Sequence, residues 1–375
     1  MAVDASPARK TFTLAVFFCV NLLNYSDRQC VSGVLPQLLA AKTVDLSGGV
    51  ITNAEGGMLT TSFIIVYMCV SPIFGYLADR VENRKALVIF GLALWALASG
   101  ISSFAPSYTY LLAARAAVGI GEASYATVAP VIIADMYPPA ERTAKLAVFY
   151  IAIPLGSALG FMIGGQVGDM LGWRWALRVT PALLVLLTVL GVPFVHEPAR
   201  GASDGAAGAA SGDEGGAGLG GWLRDVRAVL ATPSVLLSVF GAAASNFAIG
   251  AITVWVPTFV NAVEGGQAAV EAAGGISPTL VFGGVTVVSG LSGTVLGSVI
   301  SDKLSATLTD WGAESLVCAI AMLGSAPLIG TALFLATGFD SLLPFWAFVL
   351  VVSFPALPFF IACTRWLRAE LPLAG

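Results

Sequence analysis

The sequence predicts an all-α, polytopic membrane protein, and three observations carry that prediction. Of 375 residues, 57% are hydrophobic and 11% charged, with a mean hydropathy of +0.87. Soluble domains carry about 25% charged residues. Apolar stretches long enough to cross a bilayer as helices, which takes ~20 residues, recur along the chain. Lysines and arginines gather in alternate connections between these stretches, the asymmetry that orients spans with basic loops in the cytoplasm.

The same composition argues against other classes. A net charge of -4 and the lack of a Lys/Arg-rich tract give no reason to expect a nucleic-acid partner. Cys19, Cys30, Cys69, Cys318 and Cys363 are scattered and form no CxxC or His/Cys cluster, so neither a metal site nor a disulfide framework is expected. The only histidine, His196, ends the sixth apolar segment. A Ser-His-Asp or metal-hydrolase site therefore lacks its parts, and neither an enzyme nor a cofactor is expected.

The first segment, 11–39, follows Arg9 and Lys10. A cleaved signal has a short apolar core and a small-residue cleavage site. This segment instead runs on through Asn24 and Asp27, which reads as a retained helix. Further spans are expected at 57–78, 86–104, 109–136, 143–167 and 175–195. In the fifth, Gly156, Gly160 and Gly164 fall at four-residue intervals on one face, where backbones can approach closely. The connection 197–232, "EPARGASDGAAGAASGDEGGAGLGGWLRDVRAVLAT" after His196, is rich in Gly, Ala and Ser and reads as a flexible linker. Four more spans follow at 233–261, 278–302, 314–337 and 342–366. The expected organisation is a six-helix N-terminal bundle over 1–196, a cytoplasmic linker over 197–232, and a four-helix second bundle over 233–375. Arg9, Lys10, Arg80, Arg84, Lys85, Arg142, Lys145, Arg200 and Lys303 all fall on one side, assigned to the cytoplasm.

Charges inside spans are the candidate functional residues, because such groups are costly and face a cavity or one another. "NYSDR" sets Asn24, Tyr25, Asp27 and Arg28 within the first span. Arg28 shares a stripe with Asn24 and Tyr25, while Asp27 points about 100° away. In the fourth span Arg115 and Glu122 are two helical turns apart on one face, with Glu122 roughly 20 Å in from the outer side and Arg115 about 10 Å nearer that exterior. Two readings stay open. The four charges are structural ion pairs locking two helices, or they line a transport cavity.

A loop motif supports the second reading. "GYLADRVENRK" places Gly75, Asp79, Arg80, Arg84 and Lys85 between the second and third spans. Gly75 would permit close helix approach, Asp79 would meet a helix N-terminus or an arginine, and the basic residues would hold the loop in the cytoplasm. The stretch resembles the gating-loop motif of the major facilitator superfamily, G-x-L-A-D-R-x-G-R-R/K, with one residue more than its usual spacing. "GSVISDKLS" at Gly297–Ser305 is a fainter echo in the second bundle.

In order, "NYSDR", "GVLPQ", "GYLADR", "VGIGEASYATVAPVIIADMY", "FYIAIPLGSALGF" and "WRWALRVTPALL" resemble the Spinster family of that superfamily, closely over residues 20 to 200 and more thinly beyond. The resemblance implies two bundles that open alternately to either side, with about ten of twelve family helices present. It implies transport of an amphipathic lipid with a charged head group, a lysophospholipid or sphingolipid phosphate, with proton coupling in some members. By motif position, Asp27 and Glu122 would be proton-responsive carboxylates, and Arg28 and Arg115 the basic partners of substrate or carboxylate. The alternatives are a facilitator for a small organic anion or drug, and a truncated membrane protein without transport activity, since the family's last two helices have no counterpart before Gly375. A multi-pass protein of the plasma membrane or of an endosomal or lysosomal membrane is expected, with the lipid bilayer, the substrate and protons as its partners.

Overall fold

The structure is a computed structural model that describes residues 6–40, 51–203, 227, 231, 233–262, 279–288, 290 and 292. Every regular element among them is helical. The helices are α1 (Pro7–Ala40), α2 (Asn53–Ala78), α3 (Arg84–Ser102), α4 (Tyr108–Met136) and α5 (Pro139–Met162). A π-turn at Ile163–Val167 carries α5 into the short α6 (Gly168–Leu171), followed by α7 (Trp173–Leu190) and a 3-10 turn at Val192–Phe194. Beyond these come α8 (Pro233–Ala262) and an apolar helix, α9, at Thr279–Val288. The expected spans at 314–337 and 342–366, and most of the 197–232 linker, lie outside the described residues.

The ends of the helices follow local chemistry that the apolar pattern alone passes over. α2 begins four residues before its apolar run because Thr52 and Glu55 form a reciprocal capping box. Asn83 caps α3 by accepting from the Ala86 N–H at 2.9 Å, and Ser107 caps α4. Pro139 opens α5, where its missing N–H and fixed φ cost nothing. Gly172, at φ 90°, makes the turn between α6 and α7.

Among the described residues, six helices are long and apolar enough to cross a membrane by length and composition: Asn53–Ala78, Arg84–Ser102, Tyr108–Met136, Ala144–Leu171, Trp173–Phe194 and Val239–Phe259. The first segment is not among them, although at 34 residues α1 is the longest. Its middle is diluted by Asn21, Asn24, Asp27, Arg28 and Gln29. Those groups are accommodated because α1 packs against α5, α7 and α2, and Asn21, Asn24 and Asp27 are buried.

The chain divides into two compact units, Met1–Gly208 with Ser277–Gly283, and Ala209–Ile276 with Gly284–Gly375. In the first, α1 lies along α5, α4 packs on both α2 and α3, and α7 lies against α1 and α3. One apolar core joins Phe17, Trp95, Tyr125 and Ile132; a second joins Val34, Leu59, Leu111 and Trp173. The α1–α5 contact is made backbone to backbone. A Cβ built on Gly156 would lie 2.4 Å from the Leu22 carbonyl oxygen, one on Gly160 2.4 Å from that of Ser26, and one on Gly164 2.6 Å from that of Cys30. Polar clasps reinforce this seam: Ser26 Oγ donates to the Gly156 carbonyl at 3.0 Å and Asn21 Nδ2 to that of Phe149 at 3.0 Å. At the π-turn Gln37 Nε2 donates to the carbonyl of Gly164 at 3.3 Å and to Asp169 Oδ1 at 2.7 Å. In the second unit α8 runs as a mostly exposed apolar helix carrying Phe240 and Phe247.

Candidate functional site

The adjacent Asp27 and Arg28 do not pair with each other. A helix turns about 100° per residue, so the two side chains leave α1 toward different neighbours. Asp27 faces α3, α4 and α7. Its Oδ1 accepts from Ser99 Oγ and Thr180 Oγ1, both at 2.6 Å. Its Oδ2 accepts from Arg115 Nη1 at 3.1 Å and from Trp95 Nε1 at 3.4 Å. Both oxygens are thus occupied, and Asp27 is wholly enclosed. Four donors around one carboxylate replace the water it lost on burial.

Arg28 turns instead to Glu122, with Nε to Oε2 at 2.7 Å. Its guanidinium lies over three rings, Phe63 at 4.9 Å, Tyr25 at 5.1 Å and Tyr67 at 5.1 Å. This aromatic surround holds a cation through the negative faces of the rings. The Arg28 side chain keeps 22% of its surface exposed, whereas Glu122 has none. Glu122 Oε1 is buried with no hydrogen-bond partner among the described residues, and so are Arg115 Nε and Asn24 Nδ2. Phe63 links the two ion pairs, since the Arg115 guanidinium also lies 6.0 Å from its ring.

The four intramembrane charges thus occupy neighbouring positions as two crossed pairs between α1 and α4. One pair is closed, with both oxygens of Asp27 occupied although Arg115 Nε is not. The other is partly open and incompletely satisfied. Asn24 is buried beside Asp27 without contacting it through a hydrogen bond, and Tyr25 serves as one wall around Arg28. Ser99, Thr180 and Trp95 escaped the sequence reading because hydroxyls and a tryptophan within apolar helices give no pattern of their own.

The loop residues lie at the other end of the first unit. Nothing among the described residues lies within 4 Å of a Cβ built on Gly75. Asp79 caps the end of α2 and is exposed; its carbonyl, with those of Ala78 and Val81, accepts from the Arg200 guanidinium. Arg80 lies over the Tyr76 ring at 4.1 Å. Arg84 is not a solvated loop cation. It is 3% exposed in the first turn of α3, pairing with Asp135 Oδ2 at 2.6 Å and Glu197 Oε1 at 3.5 Å. The Glu197 carboxylate also accepts from the backbone N–H groups of Arg84 at 2.6 Å and Lys85 at 3.1 Å, the position where a helix N-terminus favours an anion. Lys85 Nζ turns inward to the carbonyls of Pro193 and Val195. Asp135, Glu197 and Arg200 were missed in sequence because they lie far from the loop along the chain and only the fold brings them to it.

Among the described residues no group of three or more His, Cys, Asp or Glu could hold a metal ion. What these helices and buried ion pairs define is an integral, multi-pass membrane protein. Accordingly, the profile of the Major Facilitator Superfamily matches residues 17–367, and the chain belongs to that superfamily. Within it the similarity is to Spinster proteins. The chain is 41% identical over 341 residues to protein spinster homolog 1 of Bos taurus, covering 89% of this chain and 62% of that protein. It is 38% identical over 316 residues to the sphingosine-1-phosphate transporter SPNS2 of Danio rerio, covering 82% and 60%. The chain thus spans less than two thirds of the length of these relatives. The fold is similar to that of a bacterial homologue of the human lysosomal transporter Spinster in an inward-facing, occupied conformation, with TM-score 0.73 at 19% identity, covering 99% of this chain and 77% of that one.

Proposed function

We propose that this chain acts as a Spinster-like secondary transporter of an amphipathic lipid with an anionic head group, a lysophospholipid or a sphingolipid phosphate, by alternating access. In this reading residues 1–196 form the N-terminal bundle, 197–232 a cytoplasmic linker and 233–375 the second bundle. The observation that carries the reading is the state of Arg28. One edge of its guanidinium is held by Glu122, aromatic rings surround it, and the side chain remains partly open. A planar guanidinium with donors to spare fits the paired oxygens of a phosphate, and the rings offer apolar surface to the chain beside it. The similarity to a protein named as a sphingosine-1-phosphate transporter supports the same substrate class.

Glu122 supplies the coupling step. Its buried Oε1 has no donor, and an unpaired buried acceptor is destabilising by about 1–3 kcal/mol. A proton on this oxygen would cancel the charge that holds Arg28 and free the guanidinium for the substrate phosphate. Loss of the proton would restore the Arg28–Glu122 pair and expel the anion. Asp27 has no such vacancy and serves to orient Arg115.

The test is uptake into proteoliposomes holding the purified chain, comparing a lysophospholipid, sphingosine-1-phosphate and a short water-soluble organic anion. Selective uptake of the lipids, lost in Arg28→Ala, is the expected result. Uptake of the short anion alone would replace the lipid reading by that of a small-anion facilitator. No uptake of any substrate would favour a membrane protein without transport activity.

A further inference from the structure

A second cationic site lies away from the Arg28–Glu122 pair, on the flank formed by α3 and α7. Leu92, Ala96, Leu97 and Ile101 of α3, with Val185 and Val189 of α7, line an open groove that ends at Phe104. Leu97, Phe104, Val185 and Val189 are half or more exposed. Over the Phe104 end stands Arg178. Its guanidinium lies between two rings, 4.5 Å from Phe104 and 4.6 Å from Trp175, and its Nε donates to Ser103 Oγ at 3.3 Å. No carboxylate pairs with Arg178 among the described residues, so its terminal nitrogens remain available. The neighbouring Arg174, in contrast, donates to the Ala105 carbonyl at 2.9 Å.

We propose that this groove binds one anionic phospholipid of the surrounding bilayer, with its phosphate on Arg178 and one acyl chain along the groove. Three features of the flank select that occupant. The groove walls are apolar apart from the buried Thr188 hydroxyl, which suits a hydrocarbon chain. The charge sits at one end only, in the second turn of α7 beside Trp175, a side-chain type that settles at the head-group level. The aromatic pair fixes the guanidinium in place, so a phosphate meets a preformed fork, as bidentate phosphate recognition requires. A neutral zwitterionic lipid would place its own cation against Arg178 and lose much of this attraction. The site is separate from the transport reading and stands whether or not the chain moves a substrate.

The experiment is native mass spectrometry of the full chain released from nanodiscs of phosphatidylcholine doped with phosphatidylglycerol. The wild type is expected to retain one phosphatidylglycerol in preference to phosphatidylcholine. Arg178→Ala should lower that preference by about tenfold or more, since a charge-assisted pair is lost. Leu97→Trp, which fills the groove, should remove the bound lipid while leaving Arg178 in place. Ile73→Trp, on an exposed face of α2, should behave as the wild type. If Arg178→Ala fails to fold, Arg178→Lys and Leu97→Trp decide the matter, since both keep the charge and differ in fork and groove. Equal retention of the two lipids by the wild type would overturn the proposal. So would an unchanged preference in Arg178→Ala, or an equal loss of lipid in Ile73→Trp.

Discussion

Arg28 and Glu122, ninety-four positions apart in the chain, meet at 2.7 Å between α1 and α4, while Asp27, the covalent neighbour of Arg28, is bound to Arg115. The two pairs differ in completeness. Every oxygen of Asp27 is occupied, and one oxygen of Glu122 is not. That difference separates a carboxylate fully surrounded by donors from one with an oxygen still open.

Glu122→Gln keeps the volume and removes the titration. In proteoliposomes we expect transport in this variant to lose its dependence on pH, with substrate affinity changed far less. A pH profile in Glu122→Gln that overlays the wild type would assign coupling elsewhere.

Asp27→Ala should behave differently, leaving the Arg115 guanidinium buried and without its counter-charge. Removing one partner of a buried pair costs about 3–5 kcal/mol. Thermal unfolding in detergent should show a large drop in stability, while Arg28→Ala, whose side chain is partly exposed, should show a smaller one. Equal losses in both would contradict the closed and open character of the two pairs.

The Arg84 cluster ties α3 to α4 and to the segment after α7. Glu197→Gln weakens two backbone hydrogen bonds and one ion pair at once. Faster hydrogen exchange at the Arg84 and Lys85 amides is expected, with little change at Ser99. Undisturbed protection at both amides would show that Glu197 is dispensable there.

Glycines along one chain should not respond alike. Gly156→Ala forces a Cβ to within 2.4 Å of a backbone oxygen, so α1 and α5 must separate. Overpacking of this kind costs about 1–3 kcal/mol. Gly75→Ala meets no atom within 4 Å among the described residues and should be neutral, or stabilising by about 0.5–1 kcal/mol through helix propensity. Melting temperatures of the two variants measure the contrast directly.

The topology reading is checked by introduced cysteines. A single cysteine in the 197–232 linker should resist a membrane-impermeant maleimide applied to intact cells and react after permeabilisation. Labelling before permeabilisation would invert the assigned orientation.

The sequence alone determined the class of protein, the approximate extents of the helices and which charges stand inside them. These are local properties. Hydropathy over ~20 residues and the cost of a buried charge act on each segment whatever its neighbours. Capping chemistry shifted the ends by a few residues, as at Thr52 and Pro139, again from local sequence. Tertiary structure alone decided who partners whom. Asp27 and Arg28 are adjacent in sequence, yet the helical turn sends them to different helices, and only packing of α3, α4 and α7 brings Ser99, Arg115 and Thr180 onto one carboxylate. The same holds for Arg84, which reads as a loop cation until Asp135 and Glu197 close around it. Local sequence specifies how costly a buried charge is; the arrangement of helices specifies which group offsets that cost, because the offsetting groups lie on other segments.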